Sequence, residues 1–292
     1  MERFYLLAPA LSLLTTFVGG LVVFALLWMS GKDMRGRNVK SNELFGPFFG
    51  HFLVWLISPL ERLLLGRVSA NAVTAMSLVL CAGSGIAAGL GHLAVACWLY
   101  AFAGILDVLD GRLARLSGAQ TPAGALYDSV SDRWGEMFVF TGYAWLLRET
   151  PWMLAAIAAM GASQMVSYTR ARAEGLGLDL RGGVMQRAER VVLVAGGSLV
   201  AAWFAAGAPS AHLALPTLGA FLSVCAVGSA STALTRWATA YRELRRRADM
   251  SVAVAAPAPV EPSPRATAPM GPFPVPQKLR DSAELASAAP RL

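Results

Sequence analysis

The sequence predicts an all-α integral membrane protein. It has a six-helix transmembrane core, an extra N-terminal transmembrane helix and an interfacial helical segment between them. Three observations carry this reading. Apolar residues make up 55% of the 292-residue chain and charged residues only 15%, where a soluble globular chain carries about 25% charged residues. Long uncharged apolar runs recur along the chain, and mean hydropathy is +0.51, as expected of a polytopic membrane protein. Arginine and lysine gather in one set of loops, the mark of spans inserted with a defined orientation. This composition excludes a disordered chain, a coiled coil and most cytosolic enzymes. The net charge of +7 is read as basic residues flanking membrane helices, so no nucleic-acid partner is expected.

The elements follow in order. Phe4 to Ser30 is uncharged and too long for the apolar core of a cleavable signal, so it reads as a retained helix. A basic cluster follows it: Lys32, Arg35, Arg37 and Lys40. From Asn42 to Val68, Phe, Trp and Leu mix with Glu43, His51, Glu61, Arg62 and Arg67. Pro47 and Pro59 interrupt this stretch, which suits helices lying at the membrane surface better than a span. Apolar helices are then expected from Ala72 to Leu90 and from Leu93 to Leu116. Thr121-Pro122 has the form of an N-cap with proline at the first helical position, opening a helix to about Leu147. Three more run from about Trp152 to Glu174, Arg187 to Ala206 and Leu213 to Arg247.

The loops orient these helices. One face carries Lys32 to Lys40, Arg112, Arg115, Arg170, Arg172, Arg181, Arg187, Arg190, Arg236, Arg242 and Arg245 to Arg247. The other carries Gly91-His92, Arg148-Glu149 and Gly207 to His212. The basic face is expected to be cytoplasmic, with the N-terminus outside and the C-terminus inside. Nine of the 16 prolines lie beyond Ser251, among Ala and Ser, so that segment is expected to be a disordered tail. The expected layout is residues 1–41 for the first helix and basic linker, 42–250 for the membrane domain and 251–292 for the tail. Cys81, Cys97 and Cys225 each sit in an apolar run without C-x-x-C spacing and read as small buried hydrophobes. His51, His92 and His212 have no zinc-ligand spacing.

The chemistry concentrates between Leu106 and Glu136. Asp107, Asp110, Gly111 and Ala114 fall at i, i+3, i+4 and i+7, on one face of a helix. Gly124, Asp128 and Asp132 fall at i, i+4 and i+8, again on one face. The short turn between them forces an antiparallel hairpin, with both acid pairs near its cytoplasmic end. Four carboxylates near a bilayer each cost at least a few kcal/mol, and like charges at close range oppose ionisation. Two divalent cations would balance them, and oxygen ligands favour Mg²⁺, Mn²⁺ or Ca²⁺ over zinc. Paired metals suit displacement at phosphorus. Gly111 and Gly124 would admit a bulky ligand close to the backbone, and Arg115 could hold a phosphate. An ion pathway, or a merely solvated acidic face, is also compatible with the spacing.

Asp107, Asp110, Gly111, Ala114, Arg115, Gly124, Asp128 and Asp132 stand in the pattern D-x-x-D-G-x-x-A-R-x8-G-x3-D-x3-D. This resembles the signature of the CDP-alcohol phosphatidyltransferases at every fixed position, and the resemblance extends from about Asn42 to Arg247. It implies a six-helix membrane core, often dimeric, that transfers the phosphatidyl group of CDP-diacylglycerol to an alcohol and releases CMP. It implies that Asp107, Asp110, Asp128 and Asp132 hold Mg²⁺ or Mn²⁺, as two ions. Asp132 would also be the general base on the acceptor hydroxyl. Gly111, Ala114, Arg115, Thr121 and Gly124 would face the CDP-lipid. Asn71-Ala-Val-Thr74 resembles the family's P-N-x-x-T segment beside the cytidine, with Ala70 in place of the proline. An N-cap role for Asn71 and Thr74 is equally compatible.

Ser167, Arg170, Arg190 and Arg236 resemble the acceptor-phosphate set of the phosphatidylinositol phosphate synthase branch, with Arg170 where that branch usually has lysine. Arginine suits two-pronged phosphate binding, although arginines also simply mark the inner face. The implied acceptor is a phosphorylated polyol, inositol 1-phosphate, with glycerol 3-phosphate as the alternative. A cation transporter using the acidic cluster and a non-catalytic membrane scaffold are the readings from other classes.

Overall fold

A computed structural model describes residues 7–30, 46–180 and 182–255. Among them every regular element is helical. The basic cluster Lys32 to Lys40, Arg181 and the Pro-rich segment from residue 256 onward lie outside the described residues. The chain divides into two compact units, Met1–Glu243 and Leu244–Leu292.

Helix α1 spans Ala8–Met29 and α2 spans Gly46–Leu64. The sequence predicted surface helices interrupted at Pro47 and Pro59; α2 is instead one continuous helix. Pro47 falls in the first turn, where a missing N–H costs nothing. Pro59 lies inside the helix and cannot bond the carbonyl of Trp55. The Ser58 hydroxyl donates to that carbonyl at 2.8 Å, supplying the hydrogen bond that proline removes. The two helices meet through aromatic rings. Phe24 is fully buried, with ring centroids 5.3 Å from Phe48, 5.6 Å from Phe52 and 5.7 Å from Trp55, within the range of favourable ring packing.

Helix α3 spans Ala70–Gly89, α4 spans Leu93–Leu116 and α5 spans Pro122–Leu146. The α3–α4 turn passes through Gly91 at φ +84°, a conformation glycine adopts without penalty. Thr121 caps α5 as the sequence predicts, accepting from Gly124 N–H at 3.0 Å. Helix α6 spans Met153–Glu174, α7 spans Arg187–Ala206, and a 3₁₀ turn over Ala208–Leu213 leads into α8, Ala214–Ala255. The sequence predicted that α8 ends near Arg247 and that disorder begins at Ser251. The helix runs on to Ala255, because neither glycine nor proline interrupts the chain between Ala248 and Ala255.

Helix α3 lies against both α4 and α5, α4 against α7, and α5 against α6. Small residues permit the tightest of these contacts. A Cβ on Gly85 of α3 would collide with the Phe138 backbone of α5, and one on Gly142 with the Gly85 backbone. A Cβ on Gly135 would lie 3.1 Å from Cys81 Sγ. Hydroxyls join the helices where the surroundings are apolar. Ser77 donates to the Ala103 carbonyl at 2.9 Å, Ser84 to Ala96 at 2.8 Å, and Tyr143 and Ser198 lie 2.5 Å apart. Tyr100, Val139, Phe140, Tyr143, Leu218 and Leu222 are wholly buried at the centre. The three cysteines are free and buried, as expected.

Among the described residues, five helices are long and apolar enough to cross a membrane: Ala10–Met29, Ala70–Gly89, Leu93–Leu116, Arg187–Ala206 and Pro209–Met250. The protein is a multi-pass membrane protein. The sequence predicted seven spans. The difference lies in α5 and α6, which at 25 and 22 residues are long enough but too polar by composition. Helix α5 carries Asp128, Asp132, Arg133 and Glu136, and α6 carries Gln164, Arg170, Arg172 and Glu174.

Candidate active site at the α4–α5 hairpin

The turn from Ser117 to Thr121 reverses the chain, so the last turns of α4 face the first turns of α5. Asp107, Asp128 and Asp132 each bring a carboxylate oxygen within 4.8 Å of the other two. Two unit charges at about 4 Å in an effective dielectric near 20 repel by about 4 kcal/mol. Three converging carboxylates therefore need compensation. Part of it comes from α7. Arg187 Nη1 lies 3.1 Å from Asp132 Oδ1 and its Nε lies 3.4 Å from Asp107 Oδ2. The same Nη1 donates to the Asp132 carbonyl at 2.8 Å. All three acids are partly exposed. An all-oxygen donor set of this size fits a hard divalent cation.

Asp110 stands apart from these three. It is buried, and Thr74 Oγ1 lies 2.6 Å from its Oδ2. That hydroxyl also lies 3.1 Å from the Ala70 carbonyl, so α3 is tied to the acidic face of α4. Asn71 is not the cap of α3: Ser69 Oγ accepts from Ala72 N–H at 3.3 Å and takes that role. Asn71 is exposed and faces the start of α5. A Cβ on Gly124 would lie 3.4 Å from Asn71 Oδ1 and 3.1 Å from Thr121 Oγ1. Arg115 folds over Gly111, with Nη1 3.3 Å from where a Cβ would stand. Asn71, Thr121 and Gly124 therefore form one group and Gly111 and Arg115 another, with Ala114 half-buried in the same last turn. Helix α2 is tied to this end of α4 by the ion pair of Glu61 and Arg112.

The second basic set surrounds the α6–α7 connection. Arg236 Nη1 donates to the Val166 carbonyl at 2.9 Å and its Nε to Gly182 at 2.8 Å. Thr232 Oγ1 accepts from Met185 N–H at 3.0 Å. Arg190 is 2% exposed. Its Nε and Nη2 both donate to Glu136 Oε1, at 2.9 and 2.6 Å, and its Nη1 lies 3.2 Å from the Met185 carbonyl. Ser167 is half-buried, and Arg170 is half-exposed and paired with Glu174 at 2.8 Å. Ser167 thus follows the residue whose carbonyl Arg236 grips, while Arg190 is engaged by a buried acid one turn beyond Asp132.

The family model of CDP-alcohol phosphatidyltransferases matches residues 67–225, more than half of the chain. The chain belongs to this family. It is 37% identical over 121 residues to a phosphatidylinositol phosphate synthase of Mycobacteroides abscessus, covering 39% of this chain and 54% of that protein. It is 36% identical over 152 residues to an archaetidylinositol phosphate synthase of Methanothermobacter thermautotrophicus, covering 50% and 74%. The chain spans about half the length of the mycobacterial relative. It also superposes on crystal structures of Mycobacterium tuberculosis phosphatidylinositol phosphate synthase at 29% identity and a TM-score of 0.56. The superposition covers 63% of this chain, with 92% of the relative in a structure with CDP-DAG bound and 88% in one with manganese and citrate. Membership favours the divalent-site reading of the acids over ion transport.

The sequence reading missed Arg187 and Glu136 as parts of this site. Glu136 lies one turn after Asp132, and Arg187 stands three residues before Arg190 at the start of α7; those spacings are the only local signals. Their partners are 50 or more residues away, out of reach of any helix periodicity.

Proposed function

We propose that this protein transfers the phosphatidyl group of CDP-diacylglycerol to inositol 1-phosphate, giving phosphatidylinositol phosphate and CMP. The observation that carries the reading is the convergence of Asp107, Asp128 and Asp132 at the mouth of a helix hairpin, in a chain whose relatives are inositol phosphate lipid synthases. The core would be α3 to α8, spanning the membrane six times, with α1 as an added span and α2 at the surface. The layout would be 1–41, 42–250 and a tail from 251 whose first residues, to Ala255, continue α8. The hairpin mouth would face the cytoplasm, and two copies of the chain would pair as a homodimer.

Asp107, Asp110, Asp128 and Asp132 would hold the divalent cations, two Mg²⁺ or Mn²⁺. When bound, these supply charge neutralisation to the diphosphate and to the departing CMP. Thr74 keeps the Asp110 carboxylate turned toward α3. Asn71, Thr121 and Gly124 would form a rim for the cytidine end, where the absence of a side chain on Gly124 lets Asn71 and Thr121 close in on the start of α5. Gly111, Ala114 and Arg115 would lie along the diphosphate. Asp132 would accept the proton of the attacking hydroxyl, which requires reach as well as basicity. Ser167, Arg170, Arg190 and Arg236 would receive the acceptor phosphate, Arg190 being oriented by Glu136. The arginines bind phosphate by charge and shape, so glycerol 3-phosphate is the acceptor to test against inositol 1-phosphate.

The test uses purified protein in nanodiscs with CDP-diacylglycerol, Mg²⁺ or Mn²⁺, and each acceptor. CMP release with inositol 1-phosphate is expected, and none in chelator. Release with glycerol 3-phosphate but not with inositol 1-phosphate overturns the acceptor; release with neither overturns the function.

A further inference from the structure

Helix α7 presents two arginines to α5, Arg187 and Arg190, and α5 presents two acids in return, Asp132 and Glu136. The two pairs differ in how they balance. Arg190 is bonded through Nε, Nη1 and Nη2 to Glu136 and the Met185 carbonyl. Arg187 is shared. One guanidinium touches both Asp107 and Asp132, and those two acids converge with a third, Asp128. Its Nε is buried and makes no hydrogen bond, although Asp107 Oδ2 lies 3.4 Å from it. Nη1 is also held by the Asp132 carbonyl at 2.8 Å. That backbone tether keeps the positive charge beside α5 whatever becomes of the Asp132 carboxylate. Arginine does not lose its proton in proteins, so the charge can move aside but cannot vanish.

We propose that Arg187 is a resident counter-cation of the carboxylate cluster, a positioning residue that holds Asp107 and Asp132 together and lowers the cluster's affinity for divalent cations. It does so by competing for Asp132 Oδ1 and by standing as a fixed positive charge next to the incoming ion. The inference rests on the divalent-site reading above. Its consequence is opposite in sign to that of an ordinary supporting side chain. Loss of a purely structural contact loosens the ligands and weakens metal binding. Loss of Arg187 strengthens it, because a positive charge a few ångströms from a doubly charged ion is repulsive.

The experiment is direct titration of Mn²⁺ into the full chain in nanodiscs without substrate, read from the electron paramagnetic resonance of free Mn²⁺. Wild type, R187Q and R187K are compared. R187Q is expected to bind Mn²⁺ at least about tenfold more tightly, while R187K, which keeps a positive charge but not the two-pronged contact, is expected to show a smaller gain than R187Q. In chelator R187Q is expected to melt below wild type, and Mn²⁺ to raise its Tm more. Equal or weaker Mn²⁺ binding by folded R187Q overturns the proposal. Should R187Q not fold, the unmodified protein answers the same question. A Mn²⁺-bound structure with Nη1 more than about 4 Å from Asp132 Oδ1, beyond ion-pair reach, supports the proposal; one with the 3.1 Å contact intact overturns it. Wild-type protein that binds no Mn²⁺ sinks the divalent-site reading itself, a result distinct from any difference between variants.

Discussion

Asp132 and Glu136 sit one turn apart on α5, face the same helix and each meet an arginine, yet they form two different devices. The Glu136–Arg190 pair is closed: both side chains are 2% exposed, and one acid meets one base. The Asp132–Arg187 pair is open. Its side chains are 20% and 18% exposed, and the arginine is divided between Asp132 and Asp107. Buried charges persist only when paired and hydrogen-bonded, and the inner pair meets that condition. The outer one leaves negative charge in excess at the mouth of the hairpin, which is what a site for cations requires. The inner pair is a saturated contact between helices; the outer pair is the one proposed above for chemistry.

The largest expected effect comes from the outer pair. Asp132→Asn should lower CMP release by about 10²–10⁴-fold, the usual worth of a general base, while CDP-lipid binding survives; unchanged turnover would remove Asp132 as the base. The inner pair should dominate stability instead. Glu136→Ala strands the Arg190 guanidinium in the interior, at a cost of about 3–5 kcal/mol in unfolding from detergent micelles. The double change Glu136→Leu with Arg190→Met should recover most of that, and Asp132→Ala should cost much less than Glu136→Ala. Equal costs at the two positions would erase the contrast.

Smaller effects sharpen it. Gly85→Leu should destabilise by about 1–3 kcal/mol through overpacking, because the Phe138 backbone occupies the space; it moves α5 as a body and should disturb both pairs together. Thr74→Val removes the hydrogen bond to Asp110, worth about 1 kcal/mol, and should show as a modestly higher Mn²⁺ requirement at nearly native Tm. The least effect is expected at Arg170. It is 44% exposed in an i,i+4 pair with Glu174, so Arg170→Lys should change stability by less than about 0.5 kcal/mol. Any effect should fall on the KM for inositol 1-phosphate rather than on kcat.

Much of this was legible along the chain, for a local reason. Helix limits at Leu93, Leu116, Pro122, Glu174, Arg187 and Ala206 follow from caps, glycine turns and apolar runs, all of which act over a few residues. The signature acids lie within one hairpin, so their spacing already places them on facing helix surfaces. Where sequence reasoning went wrong, the deciding contact was one that composition does not register. Pro59 looked like a break, but the Ser58 hydroxyl replaces the lost hydrogen bond.

By itself the sequence determined that this is an all-helical membrane protein, and that four acids and two glycines share the facing sides of one hairpin. Helical periodicity and short turns leave little freedom in either. Only the tertiary structure decided that Asp107, Asp128 and Asp132 converge while Asp110 is drawn to Thr74, and that Arg187 serves two acids while Arg190 is locked to one. Those outcomes depend on how α7 packs against α4 and α5. Packing distances between elements far apart in the chain are set by side-chain volume and charge in three dimensions, and spacing along one strand of sequence does not encode them.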